Sequence, residues 1–222
     1  MDHIPNGTER ILDVGSGSGS LALKLINKGF QVDCVIPSEF LAEQVQAKLG
    51  DRSTIHICGF ESVADSEKYD LILFSESFQY VKLGKSLEKI TNMLNPGGYL
   101  LICDFFKRDG LGKSPMGGGH SWQLFRDKID AYPLCLISDQ DITEETAPTI
   151  DLMAKFNTDV VTPLAEMSGE YLIDHYPQLS KLFRWKFRKR LDKIHNIYLS
   201  GAVNGDSFKQ FKKYHLLVYE RR

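Results

Sequence analysis

The densest chemistry in the chain lies near its start. Asp13 stands two residues before the first of three glycines on alternate positions, Gly15, Gly17 and Gly19, with Ser16 between the first two. A carboxylate can hold a cation, and glycines let the backbone turn sharply and let a ligand approach where a Cβ would otherwise stand. Ile11, Leu12 and Val14 read as the end of a buried strand, and Leu21-Ala22-Leu23-Lys24-Leu25 opens a helix. The N–H groups and positive dipole end of such a helix suit a phosphate or carboxylate. The run is either a nucleotide-type cradle or a tight strand-to-helix connection that binds nothing. The dinucleotide fingerprint asks for Gly or Ala at position 20, where Ser20 stands.

Other reactive residues follow later strands. Glu76, Phe78, Gln79 and Tyr80 come just after the apolar run Tyr69–Phe74. Glu76 could act as a general base, hold a cationic substrate, or merely cap the next helix. Phe78 and Tyr80 could face a cation or join the core. Asp104 follows a further apolar run, and His120 follows three glycines, Gly117, Gly118 and Gly119. Histidine titrates near neutral pH, so His120 is a candidate base on a segment able to close, or an exposed loop residue. Cys34, Cys58, Cys103 and Cys135 lie far apart inside apolar runs, without metal-ligand spacing, and no metal site is expected.

Asp13-x-Gly15-x-Gly17-x-Gly19 resembles motif I of the class I S-adenosylmethionine-dependent methyltransferases. The resemblance extends over the first half of the chain. Gly59-Phe60-Glu61-Ser62 looks like the family's adenine-side loop, Ser75-Glu76-Ser77-Phe78 stands at the place of its motif IV, and Leu94-Asn95-Pro96-Gly97-Gly98 matches its turn into strand five. It implies S-adenosyl-L-methionine as cofactor, held by Asp13, Gly15, Ser16, Gly17, Gly19, Ser38, Phe60, Glu61 and Ser75, with His120, Glu76 and Tyr80 as candidate catalytic residues. One position departs from the family. The acid that accepts the ribose hydroxyls falls at Ile36, which cannot accept a hydrogen bond, so Ser38 or Glu39 is expected to take over. The general shape is similar to bacterial small-molecule methyltransferases of the type 11/12 kind. Alternatives are a nicotinamide-dependent oxidoreductase and a non-catalytic S-adenosylmethionine-binding protein.

The elements that must position these residues alternate strand and helix from residue 8 to about 105, the signature of an α/β fold with a doubly wound, Rossmann-like sheet. The expected sheet has seven strands, with a helical block inserted before the last. A core of residues 1–142 and 212–222 is expected to bind the cofactor. Residues 143–211 form either a cap that selects the acceptor, since few residues precede the first strand, or a packing or dimerisation block. Within it, Arg184-Trp185-Lys186-Phe187-Arg188-Lys189-Arg190 reads as a solvated helix face, a basic surface for nucleic acid or membrane, or a site for an anionic acceptor or carrier.

The 222 residues suit one α/β domain with an elaboration, and the formal net charge of −2 leaves no electrostatic footprint for nucleic acid. No apolar run is long enough to span a bilayer and no secretory signal is visible, so a cytoplasmic protein is expected. The expected partner is a small-molecule or lipid-like acceptor, anionic or carrier-bound among the options, with a homodimer possible.

Overall fold

The computed structural model describes residues 3–194 and 202–222. Seven strands form one sheet: β1 (Arg10–Val14), β2 (Gln31–Val35), β3 (Ile55–His56), β4 (Tyr69–Ser75), β5 (Leu94–Lys107), β6 (Leu134–Asp141) and β7 (Lys212–Arg221), in the order β3-β2-β1-β4-β5-β7-β6. The pairs β3–β2, β2–β1, β1–β4 and β4–β5 are parallel, whereas β6 runs antiparallel to β7. The helices are α1 (Ser20–Ile26), α2 (Glu39–Leu49), α3 (Leu83–Met93), α4 (Trp122–Ile129), α5 (Thr143–Phe156), α6 (Thr162–His175), α7 (Pro177–Ile194) and α8 (Gly205–Phe211).

Successive strand residues point to opposite faces, so a parallel sheet covered on both sides needs continuous apolar runs. Leu12, Val14, Ile72, Phe74, Leu100 and Ile102 pack into one core layer. Their neighbours Ile11, Leu71, Leu73 and Leu101 pack into the other, with Cys34 and Ile36. Among the described residues no helix is long and apolar enough to cross a membrane, and all four cysteines are free thiols.

The chain divides into two compact units, one of residues 1–109, 118–142 and 214–222, the other of residues 110–117 and 143–213. The glycine-rich stretch 110–117 thus joins the second unit rather than the sheet. One tie within that unit is the Lys212 ammonium, which donates to the Gly117 carbonyl at 3.2 Å. Residues 195–201, His195 among them, and the side chains of Arg184 and Arg190 lie outside the described residues.

Two carboxylates, the half-buried Asp70 and the buried Asp33, fasten the sheet. Asp70 Oδ2 accepts the backbone N–H groups of Glu9 (3.1 Å) and Arg10 (2.9 Å), and its Oδ1 accepts Asn95 Nδ2 at 2.8 Å. Burial opposes ionisation of Asp70, but these bonds outweigh it and hold its carboxyl below the usual range. The pairing Tyr69↔Leu94 jumps to Leu71↔Tyr99, so Asn95-Pro96-Gly97-Gly98 forms a bulge inside β5 rather than a turn ahead of it. Asp33 sits deeper. Its Oδ2 accepts Arg10 Nη2 at 2.9 Å and the Tyr69 hydroxyl at 3.0 Å, and its Oδ1 accepts Thr54 N at 3.1 Å. That one carboxylate ties β2 to β1, to β4 and to the entry of β3. Removing it leaves the buried Tyr69 hydroxyl without its acceptor and Arg10 with Glu67 alone. Asp33→Ala is expected to lower stability by about 3 kcal/mol, read as a fall in urea midpoint at constant slope. Asp33→Asn should cost less.

Candidate active site

The loops leaving β1 and β4 meet at the carboxyl edge of the sheet. Gly15 has φ +78°, and a Cβ there would lie 2.4 Å from Ser77 Cβ, so the position admits only glycine. The Ser77 hydroxyl donates to the Val14 carbonyl and locks the crossing. Gly17 also has positive φ, +54°, but nothing stands within 4 Å of its Cβ position. Gly15 is therefore needed for packing, whereas Gly17 presents open backbone. Ser16 Oγ donates to the Asp13 carbonyl at 2.8 Å, and Gly19, in left-handed conformation, caps α1. Lys48, which the motif reading did not single out, reaches back from α2 and donates to the Ser18 carbonyl, holding the turn from outside.

Asp13 ends up beneath this turn, 2% exposed, with its Oδ2 lacking any hydrogen-bond partner among the described residues. Burial pushes its carboxyl up to about 6, against a smaller opposing pull from Ser16. An unpaired buried acid next to open backbone is costly to keep and fits a ligand that brings a cation. Ile36 is fully buried at the end of β2, and its N–H goes to the His56 carbonyl at 3.0 Å. Ser38 caps α2 by accepting Leu41 N at 3.4 Å, and Glu39 follows it on the exposed first turn. Phe60 is buried edge-on against Phe74, with ring centroids 5.3 Å apart. Glu61 Oε1 accepts the Lys82 N–H at 2.6 Å at the start of α3. Burial resists its charge, yet the hydrogen bonding from Lys82 lowers its pKa overall.

A second cluster lies past β4 and β5. Ser75 ends β4 in register with Cys103. Glu76 is the one non-glycine described residue with positive φ, +60°, a conformation costing about 1 kcal/mol for an ordinary side chain. Its N–H donates to the Cys103 carbonyl at 2.9 Å, and its Oε1 accepts the hydroxyl of the buried Tyr214. Burial, and then that bond, drive the Tyr214 pKa far above its ordinary value, so the phenol stays a donor. Asp104, buried beside it, accepts Gln79 N at 3.0 Å, Gln79 Nε2 at 3.4 Å and Phe105 N at 2.8 Å. Burial raises its pKa to about 6, with the charge of Glu76 adding to the effect.

His120 is half-buried, edge-on to Phe78, with Nε2 3.0 Å from the Phe78 carbonyl. A carbonyl only accepts, so Nε2 carries the proton and Nδ1 is the basic nitrogen. Burial lowers the His120 pKa. Phe78 is wholly core, whereas Tyr80 is 80% exposed. Asp104 was legible as a residue past an apolar run, but Tyr214 could not have been chosen from sequence spacing, because β7 returns to β5 only after the whole second unit.

The Asp13 carboxyl gives a signed expectation. Its folded pKa of about 6 lies above the unfolded value of about 3.9. Folding therefore favours the neutral acid: this contribution is complete below the unfolded pKa and is lost as pH rises through the folded one. Asp13→Asn, neutral throughout, should be more stable than the parent at about pH 8, by roughly 2–3 kcal/mol, and indistinguishable from it near pH 3.5. Thermal melts of the two proteins across that range check the crossing.

Comparison with known proteins adds to this geometry. A profile described as a methyltransferase domain matches residues 12–102. The malonyl-[acyl-carrier protein] O-methyltransferase 2 of Ilyobacter polytropus is 29% identical over 102 residues, 44% of this chain and 39% of that protein. The tRNA 5-carboxymethoxyuridine methyltransferase of Escherichia coli is 31% identical over 110 residues, 46% of this chain and 42% of that one. The chain thus spans about two fifths of the length of these curated relatives. The structure of geranyl diphosphate C-methyltransferase from Streptomyces coelicolor A3(2) superposes with a TM-score of 0.72 at 17% identity, covering 100% of this chain and 78% of that one. The domain match and the relatives thus agree that residues 12–102 are similar to a methyltransferase domain, and the fold of the chain is that of a solved methyltransferase.

Proposed function

We propose that the protein transfers a methyl group from S-adenosyl-L-methionine to a small-molecule or lipid-like acceptor. The observation that carries the reading is the buried, unpaired Oδ2 of Asp13 beneath the open backbone of Gly17. When bound, the cofactor supplies an activated methyl group on a sulfonium, so the protein's tasks are alignment and exclusion of water. Asp13 would hold the ammonium of the methionyl part, and Gly15, Ser16, Gly17 and Gly19 would line its path. Ser38, whose hydroxyl oxygen accepts Leu41 N, or Glu39 beside it would meet the ribose hydroxyls in place of Ile36. Phe60 and Glu61 fix the loop on the adenine side, the first through core packing and the second by capping α3. Ser75 closes the β4 side.

On the acceptor side, Glu76 and the Nδ1 of His120 are the groups able to take a proton, and Tyr80, 80% exposed, is the third candidate. Tyr214 donates to Glu76 and fixes the direction of its carboxylate. The second unit, which contributes no residue to the Asp13 cradle, is the part left to set acceptor choice. The near-zero net charge supports a small acceptor over a polyanion such as tRNA, and the carrier-bound and diphosphate substrates named for two of the similar proteins are in keeping with this.

Titration calorimetry with S-adenosylhomocysteine tests the cofactor reading. Asn tolerates positive φ while projecting a side chain into the open space. Gly17→Asn should therefore keep the parent's melting temperature and lose at least tenfold in affinity. Parent-like affinity in that variant would overturn the site. Near pH 6, pairing Asp13 with a cation should release protons, seen as a dependence of binding heat on buffer ionisation enthalpy. For turnover, His120→Ala should lower kcat by about 10²-fold if its Nδ1 is the base, and unchanged kcat would transfer that role to Glu76.

A further inference from the structure

Helices α6 and α7 carry apolar stripes that the described residues of their own unit leave open. On α6, Leu164, Met167 and Tyr171 recur at spacings of three and four, so they share one face. They are 57%, 66% and 57% exposed and border a shallow groove of about 490 Å³. On α7, Leu179, Leu182 and Phe183 form the matching stripe, again more than half exposed. Open apolar stripes of this kind mark interaction sites.

The charges beside the two stripes identify the occupant. Glu166, Glu170 and Asp174 lie four residues apart along α6, exposed, and that helix holds no Lys or Arg. Along α7 the sequence sets seven basic residues, among them Lys186 and Lys189, against Asp192, a net of +6. Lys186 and Lys189 continue the Leu179–Leu182 face by further steps of three and four. One helix therefore offers apolar surface edged with negative charge, and its neighbour apolar surface edged with positive charge.

We infer that this face is the dimer interface of the protein, with α6 of each copy docked on α7 of the other. A second copy brings both complements at once, and a two-fold arrangement satisfies each twice. Pairing α7 with α7 would oppose two strongly basic helices, which sets the crossed arrangement. An anionic membrane would attract α7 and repel the acidic edge of α6 beside it, so lipid fits the surface less well.

Sedimentation velocity on the full chain tests the inference. The parent should show a concentration-dependent monomer–dimer equilibrium. Lys186→Glu with Lys189→Glu, and separately Glu166→Lys with Glu170→Lys, should each weaken the dimer by about tenfold or more, since each places like charges at both crossed contacts. An equimolar mixture of the two double variants should recover parent-like association, because both contacts in the mixed dimer pair opposite charges again. Leu164→Gln with Tyr171→Gln should weaken association without changing charge, with far-UV circular dichroism verifying helix content. A parent that stays monomeric at every accessible concentration, or charge variants that fail to recover on mixing, would overturn the proposal. So would parent protein that stays monomeric and floats with phosphatidylglycerol vesicles, which would assign the face to lipid.

Discussion

The candidate site depends on how closely the chain leaving β1 approaches the chain leaving β4. Ser77 donates to the Val14 carbonyl, and the space that closes between them has no room for a Cβ at Gly15. Everything around this crossing follows from it. The turn after β1 must climb over Ser77, which buries Asp13 beneath it. The chain after β4 must pass under the same turn, which puts Glu76 into the left-handed region, where Cys103 and Tyr214 hold it. Strain at a polar residue persists only where neighbours over-determine it, and here a backbone bond and a buried phenol do so.

Around that crossing the electrostatics are asymmetric. Asp33 and Asp70 are carboxylates provided with donors: each accepts three hydrogen bonds and ties strands together. Asp13 and Asp104 lie at the carboxyl edge and are held toward their neutral forms by burial, both to about 6. Of the two, only Asp13 keeps an oxygen with no partner. The fold thus places satisfied acids where they fasten the sheet, and leaves the unsatisfied one where the glycine turn opens. Stability given up at one carboxyl is a common mark of a functional position.

The second unit has a different physical character. Its helices α5 to α7 leave large apolar side chains in the open, whereas the sheet unit buries most of its own. It meets the sheet unit in sequence at two points, around residues 110–117 and at the ends of the 143–213 block. A separate unit of this kind can vary its surface without disturbing the Asp13 cradle, because no residue of the cradle belongs to it.

The alternating apolar runs and the spacing of Asp13 to Gly19 were legible in the sequence because each is local: a period of two or of 3.6, or a turn that only glycine can make; the Pro-Gly-Gly run read as a turn and became a bulge inside β5. They were enough for the α/β class and the order of the early strands. The division of labour among the glycines was not legible, since Gly15 and Gly17 look alike until Ser77 is packed against one of them and not the other. Nor was the hub at Asp33, which reads as one polar residue in an apolar strand until Arg10, Thr54 and Tyr69 converge on it. Phe60 and Phe78 became core, and Tyr214 came to hold Glu76 from 138 residues away. Partnerships of that kind belong to the tertiary structure alone, because a hydrogen bond is decided by distance in space and sequence spacing measures that distance only within one helix, strand or turn.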